Sequence, residues 1–330
     1  MRSKTIFGHY DIKKVCRDII TVSVSLFRVM IPTIIVVKIA QELGLDSLLV
    51  ALFSPLMSLM DLPAAAAIVL VTAILTNPYA GLIVAASLPE MAGLTQGQTS
   101  VIALFILFAH GLPLEAMISA RVGVRLWFVV FIRLLTGFLS GILFAQLFAL
   151  TGWFSAPAVI NLPQIAHAAP SLADWVFSQI GALILIQLVI IILIFALELL
   201  RIIGVEQLMK WMLTPLLRFM GIGERASTIA IVGVTLGVGF GSGILMKDVA
   251  TGTIAKKDVF GVVCFINLIH SVFEDTAIVM LLGPSLVIIL LGRLVVSVAL
   301  TMLCMVLASG LSDDQWRRYL TNHNIPASAG

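Results

Sequence analysis

His110 and His270 are each the eleventh residue of a long apolar run, the runs starting at 100 and 260. Imidazole titrates near neutral pH and can donate, accept or ligate a metal, so it suits chemistry in an apolar setting. Around His270, the residues Asn267, Ser271 and Glu274 complete an i, i+3, i+4, i+7 spacing. That spacing predicts one polar stripe on one helical face. The matching positions around His110 are Leu107, Gly111 and Leu114, so a substrate site is expected to be weighted toward the second half. Glu274 lies one turn from His270, close enough to share a proton, and coupling to H+ or Na+ is compatible with this pattern. Glu115 with Arg133, and Asp275 with Arg293, lie nine residues either side of positions 124 and 284. Equal spacing from a turn puts each pair at one depth, which predicts two structural ion pairs clamping neighbouring helices.

Two further apolar runs, about 64–87 and 226–246, are interrupted by TNPYAG (76–81) and GVGFGSG (237–243). Pro and Gly at mid-run suggest a re-entrant hairpin or a discontinuous helix, whose ends expose polar backbone to a ligand. Asn77 and Tyr79 at the first tip, and Gly239, Gly241 and Ser242 at the second, join the histidines as candidate substrate-binding residues. A transporter predicts that the two tips face each other around a wet cavity, whereas a scaffold predicts dry packing between them. No catalytic residue is expected, because no nucleophile–base pair or HExxH spacing occurs. No resident metal or cofactor is expected either. Divalent-metal passage through His110, His270 and nearby carboxylates is the alternative within transport.

The elements that must hold these residues follow from composition. Of 330 residues, 60% are hydrophobic and 11% charged, with a mean hydropathy of +1.14. Too few charges remain to solvate the surface of a soluble protein, which excludes that class. Full spans of about 20 apolar residues are predicted near 19–40, 100–120, 126–148, 178–200, 260–282 and 286–308. No removable signal peptide is expected. Cys16, Cys264 and Cys304 form neither a disulfide framework nor a CxxC spacing. The net charge of +3 does not point to nucleic acid. If both interrupted runs are hairpins, all the Lys and Arg except Arg28, Lys38, Arg133 and Arg293 fall in 1–18, 121–125, 201–225, 247–259 and 309–330. The intervening segments 41–63, 88–99, 149–177 and 283–285 hold no Lys or Arg at all. The positive-inside rule then places both termini in the cytoplasm of a cell (inner) membrane protein.

The chain also matches itself without gaps at an offset of 160, residues 26–145 on 186–305, with 19 identities in 120 positions. Gly44 falls on Gly204, Pro55 on Pro215, Gly81 on Gly241, His110 on His270 and Arg133 on Arg293. Three crossings per half make the halves inverted. The expected organisation is a start at 1–25, repeat one at 26–148, an outside linker at 149–185, repeat two at 186–308 and a tail at 309–330. The fold class is an all-α integral membrane protein of two inverted repeats, each with three full spans and one broken hairpin.

With AHGLPLEAMISARVG (109–123), IHSVFEDTAIVMLLG (269–283) and GVGFGSG (237–243), this order of elements resembles the Gate or nucleoside-recognition domain family. That family includes concentrative nucleoside transporters, the membrane core of ferrous iron transporter B proteins, and spore maturation A and B proteins. The inverted halves and membrane-depth hairpins predict a transporter of a small polar or ionic solute by alternating access, in contact with the lipid bilayer and compatible with a homo-oligomer; the resemblance supports that fold. It also allows a non-transporting assembly component.

Overall fold

The computed structural model describes residues 12–162, 171–251 and 253–322; the expected basic start at 1–11, linker positions 163–170 and tail residues 323–330 lie outside them. The described residues are helical, with no strand beyond isolated bridges at Thr95–Pro157 and Val124–Thr321. The first seven helices are α1 (Ile12–Glu42), α2 (Leu45–Leu59), α3 (Ala66–Leu75), α4 (Pro78–Ala86), α5 (Gln96–Ala109), α6 (Leu112–Val122) and α7 (Leu126–Thr151). The next seven are α8 (Leu172–Ile203), α9 (Val205–Phe219), α10 (Glu224–Leu236), α11 (Val238–Ala250), α12 (Lys256–Leu268), α13 (Val272–Val279) and α14 (Arg293–Ser309), the last entered through a π-turn. Helix starts at 12, 45, 78, 96 and 112 recur at 172, 205, 238, 256 and 272, each 160 residues on.

Among the described residues, six stretches are long and apolar enough to cross a bilayer: Val15–Ala40, Gln96–Val122, Leu126–Thr151, Leu172–Ala196, Lys256–Leu282 and Ile288–Ser309. Those holding α5–α6 and α12–α13 are mostly buried, whereas α1 and α8 are largely exposed and pack on each other. Their outward Ile20, Ile31, Ile35, Ile184 and Ile192 would be untenable as a patch in water and are at ease against lipid. On α9, Leu208, Trp211, Met212 and Phe219 are exposed beside Lys210 and Arg218, as on a helix lying along a membrane surface.

The two interrupted runs fold as antiparallel helix pairs. A Cβ on Gly81 would stand 2.9 Å from Ala73 Cβ, so α3 and α4 touch along their backbones. A Cβ on Gly241 would stand 2.7 Å from Gly233 Cα, the same contact 160 residues later between α10 and α11. The open ends of α10 and α11 are joined by Arg225 Nε donating to Asp248 at 2.9 Å. At about 1.5 Å per residue, helices of 10 and 13 residues reach roughly half the depth of a 30 Å hydrocarbon core.

The loops gather at two ends. At one, Ala158 N–H donates to Leu94 O at 2.9 Å, Asn161 N–H to Leu281 O at 2.8 Å and the Gln98 amide to Asp61 O at 2.8 Å. At the other, Asn322 N–H donates to Gly123 O at 2.9 Å, Arg125 to Arg317 O at 2.6 Å, and Lys256 stands over the Trp316 ring. The first end has no Lys or Arg in 88–99 or 149–162; the second collects them.

Candidate functional site

The runs expected as unbroken spans at 100–120 and 260–282 are each interrupted at the histidine. Helix α5 stops at His110, Gly111 turns the chain with φ 58°, and Pro113 falls in the first turn of α6, where its missing N–H costs nothing. Helix α12 stops at Ile269 and Ser271 turns the chain with φ 44°, a left-handed conformation a non-glycine residue rarely takes. A Cβ on Gly237, at the tip between α10 and α11, would stand 2.7 Å from Ser271 Oγ; Gly111 N–H donates to Ala73 O in α3 at 3.0 Å. Each tip is therefore set against a broken span.

A break in an apolar setting frees carbonyls that must find donors. The arginines supply them. Arg133 Nε donates to Phe108 O at 2.7 Å and Nη2 to His110 O at 2.8 Å. Arg293 Nε donates to Leu268 O at 3.2 Å, and its Nη2 to His270 O at 3.2 Å and Leu107 O at 3.0 Å. Both guanidiniums cap the negative ends of interrupted helices, at positions 160 apart. Arg133 Nη1 also pairs with Glu115. The expected partner pair, Asp275 with Arg293, is not joined: Arg293 Nη1 has no hydrogen-bond partner, and neither has Asp275 Oδ2. The carbonyls claim the second guanidinium first.

The two imidazoles meet. Their Nε2 atoms are 3.3 Å apart and the rings tilt at 52° with centroids 5.1 Å apart. His110 Nδ1–H donates to Ile106 O at 2.7 Å and His270 Nδ1–H to Ile266 O at 2.9 Å. A carbonyl can only accept, so both rings carry a proton on Nδ1; when neutral, each turns its Nε2 lone pair toward the other. Glu115 Oε1 lies 3.7 Å from His110 Nε2 and 3.4 Å from His270 Nε2. Asp275 Oδ2 lies 3.6 and 3.8 Å from the same two atoms. Both histidines are buried, at 4% and 1% exposure.

The other expected site residues divide. Asn267 donates to Ser119 Oγ at 2.8 Å and leaves its own Oδ1 unpaired. Glu274 accepts from Tyr79 Oη at 3.2 Å, so the stripe drawn from Asn267 to Glu274 is not one helical face: the break at Ser271 turns it apart, and Glu274 is held by the first tip instead of His270. Asn77 spends its side chain capping α4 through Ala80 N at 2.9 Å. Gly241 serves close helix packing; Gly239 lies in the first turn of α11; Ser242 is buried with an unpaired Oγ. The first tip closes on α13 through Tyr79 and Glu274, and the second on the break at Ser271. The shared register of His110 and His270 in the 160-residue offset was the signal that the two approach from opposite halves; what the spacing did not show is that both lie at breaks in their spans.

No family model matches the chain, and no solved structure does. Among curated proteins, a relative named as the uncharacterized membrane protein YvoD of Bacillus subtilis (strain 168) is 27% identical over 285 residues, 84% of this chain and 88% of the relative. With six candidate spans, that similarity makes the chain a multi-pass helical membrane protein.

Proposed function

We propose that the chain is a membrane transporter moving a small polar or ionic solute by alternating access, built from two inverted repeats with two re-entrant hairpins. The observation that carries the reading is the meeting point: two half-depth hairpins and two broken spans converge on buried polar groups. Interrupted helices at mid-depth are the means by which inverted-repeat transporters expose a site to either side in turn. Helix boundaries recurring at 160 residues support the duplication. One end free of Lys and Arg and one end rich in them support an orientation with the basic end in the cytoplasm. The element order keeps its resemblance to the Gate-domain family. The buried histidines correspond to an occluded state, from which either end must open.

The test is accessibility. In a background lacking Cys16, Cys264 and Cys304, Ser271→Cys is probed with an impermeant thiol reagent in right-side-out and inverted vesicles. Modification from both sides, each suppressed when the other side is held open by cross-linking, is expected. Reaction from neither side, or from one alone, overturns alternating access.

A further inference from the structure

With both imidazoles neutral, four acceptors converge in the core: the Nε2 lone pairs of His110 and His270, Glu115 Oε1 and Asp275 Oδ2. Lone pairs of like sign 3.3 Å apart repel, and a buried carboxylate oxygen without a donor is costly. A proton on one imidazole relieves the contacts of that ring and leaves the other ring's lone pair facing the two carboxylates. A cation between them answers all of them.

We infer that this cluster is the binding site of the transported solute and that the solute is a divalent transition-metal ion. This deepens the transport reading and rests on it. The sizes select the class. His110, His270 and Glu115 offer ligand atoms within one small cluster, with separations of 3.3, 3.4 and 3.7 Å. The corners of a triangle with those sides lie about 2.0 Å from a common centre, which is the Zn–N and Zn–O bond length. Calcium and its like need oxygen-rich shells at roughly 2.3–2.6 Å, and magnesium keeps its water, so two imidazoles favour zinc, iron, cobalt or nickel over either. Three protein ligands leave a position open, as in sites where something is exchanged; Asp275, near both imidazoles, is the nearest further donor.

The surroundings are those of a metal site. Each ligating imidazole donates its other N–H to a carbonyl, which fixes its tautomer and aim. Glu115 is oriented by Arg133. The two guanidiniums also set a limit on affinity, since they place positive charge beside a cation. A site meant to release its ion gains from that; a structural site would not.

Purified protein free of any polyhistidine tag is titrated with Co2+, whose d–d absorption reports a low-coordinate nitrogen and oxygen environment, and separately with Zn2+ followed by X-ray absorption at the metal edge. One ion per chain with two imidazoles in its shell is expected. His110→Gln and His270→Gln should each weaken binding by at least about tenfold while remaining monodisperse. Replacing the other three histidines, His9, His167 and His323, together by Ala should leave binding intact. If the wild type takes up no Co2+ or Zn2+, if the edge spectrum shows no imidazole, or if the triple replacement removes the signal, the inference is overturned. The vesicle accessibility test needs no metal, so its success beside a failed titration would overturn the metal alone.

Discussion

At Arg133 and Arg293 the same residue type does two things, and only one of them was visible in the sequence. Counting nine residues from each turn placed each arginine level with a carboxylate, and for Glu115 and Arg133 the contact exists. What the count missed is that the apolar runs at 100–120 and 260–282 carry no unmistakable helix stop; Gly111 and Pro113 mark the first break, while nothing but Ser271 marks the second. Without the breaks there are no freed carbonyls, and without the carbonyls an arginine reads only as an ion-pair partner. The two positions should therefore respond differently. Arg133→Leu strands the Glu115 carboxylate and should cost about 3–5 kcal/mol in detergent unfolding, with Glu115→Gln recovering part of it. Arg293→Leu should be damaging for its three carbonyls, and Asp275→Asn should recover little. A coupling for Asp275–Arg293 as large as that for Glu115–Arg133 would refute this assignment. The histidines, expected from their neighbours to be unequal, stand in equivalent geometry, so His110→Ala and His270→Ala should reduce uptake to the same degree in proteoliposomes.

Among the elements, the hairpins rest on glycine for contact more than for turning. The glycines of GVGFGSG suggested a ligand-binding tip, yet Gly241 faces the backbone of Gly233 and has no room for a methyl group, while Gly243 faces open space. Backbone cannot yield as a side chain can. Gly241→Ala should thus cost about 1–3 kcal/mol of stability and Gly243→Ala far less, measured by thermal unfolding of purified protein. Equal effects would place the close approach of α10 and α11 in error. The six long apolar stretches, the interruptions at 76–81 and 237–243 and the 160-residue offset were legible, since they are written in hydropathy and in rare residues. The polar stripe was not, because a periodicity argument assumes an unbroken helix and its failure lies in one φ angle at Ser271.

For the molecule as a whole, charge distribution is the strongest handle on orientation. Ser155 and Thr253 are exposed at opposite ends. In the cysteine-free background, Ser155→Cys should react with an impermeant reagent added outside intact cells and Thr253→Cys only after the membrane is opened. Reversed labelling would invert the orientation; labelling of both from one side would mean that one interrupted run crosses completely.

Besides the contacts made by the histidines and by backbone groups, two side-chain-to-side-chain hydrogen bonds join the halves, one on either side of the histidine pair. Tyr79 reaches Glu274 toward the end free of Lys and Arg, and Asn267 reaches Ser119 toward the basic end. Neither has a counterpart under the 160-residue offset, where Gly239 and Leu114, and Leu107 and Val279, stand instead. A machine whose halves were identical would idle with both doors equally probable. Under the alternating-access reading these bonds would act as unequal catches, and a net hydrogen-bond worth of about 0.5–1.5 kcal/mol would shift such a balance by roughly two- to thirteenfold. Tyr79→Phe should bias the resting population toward opening at the acidic end and Ser119→Ala toward the basic end, seen as opposite changes in labelling at position 271. Under that reading the resting direction would be adjustable by one hydroxyl at a time, with the proposed ion site left untouched.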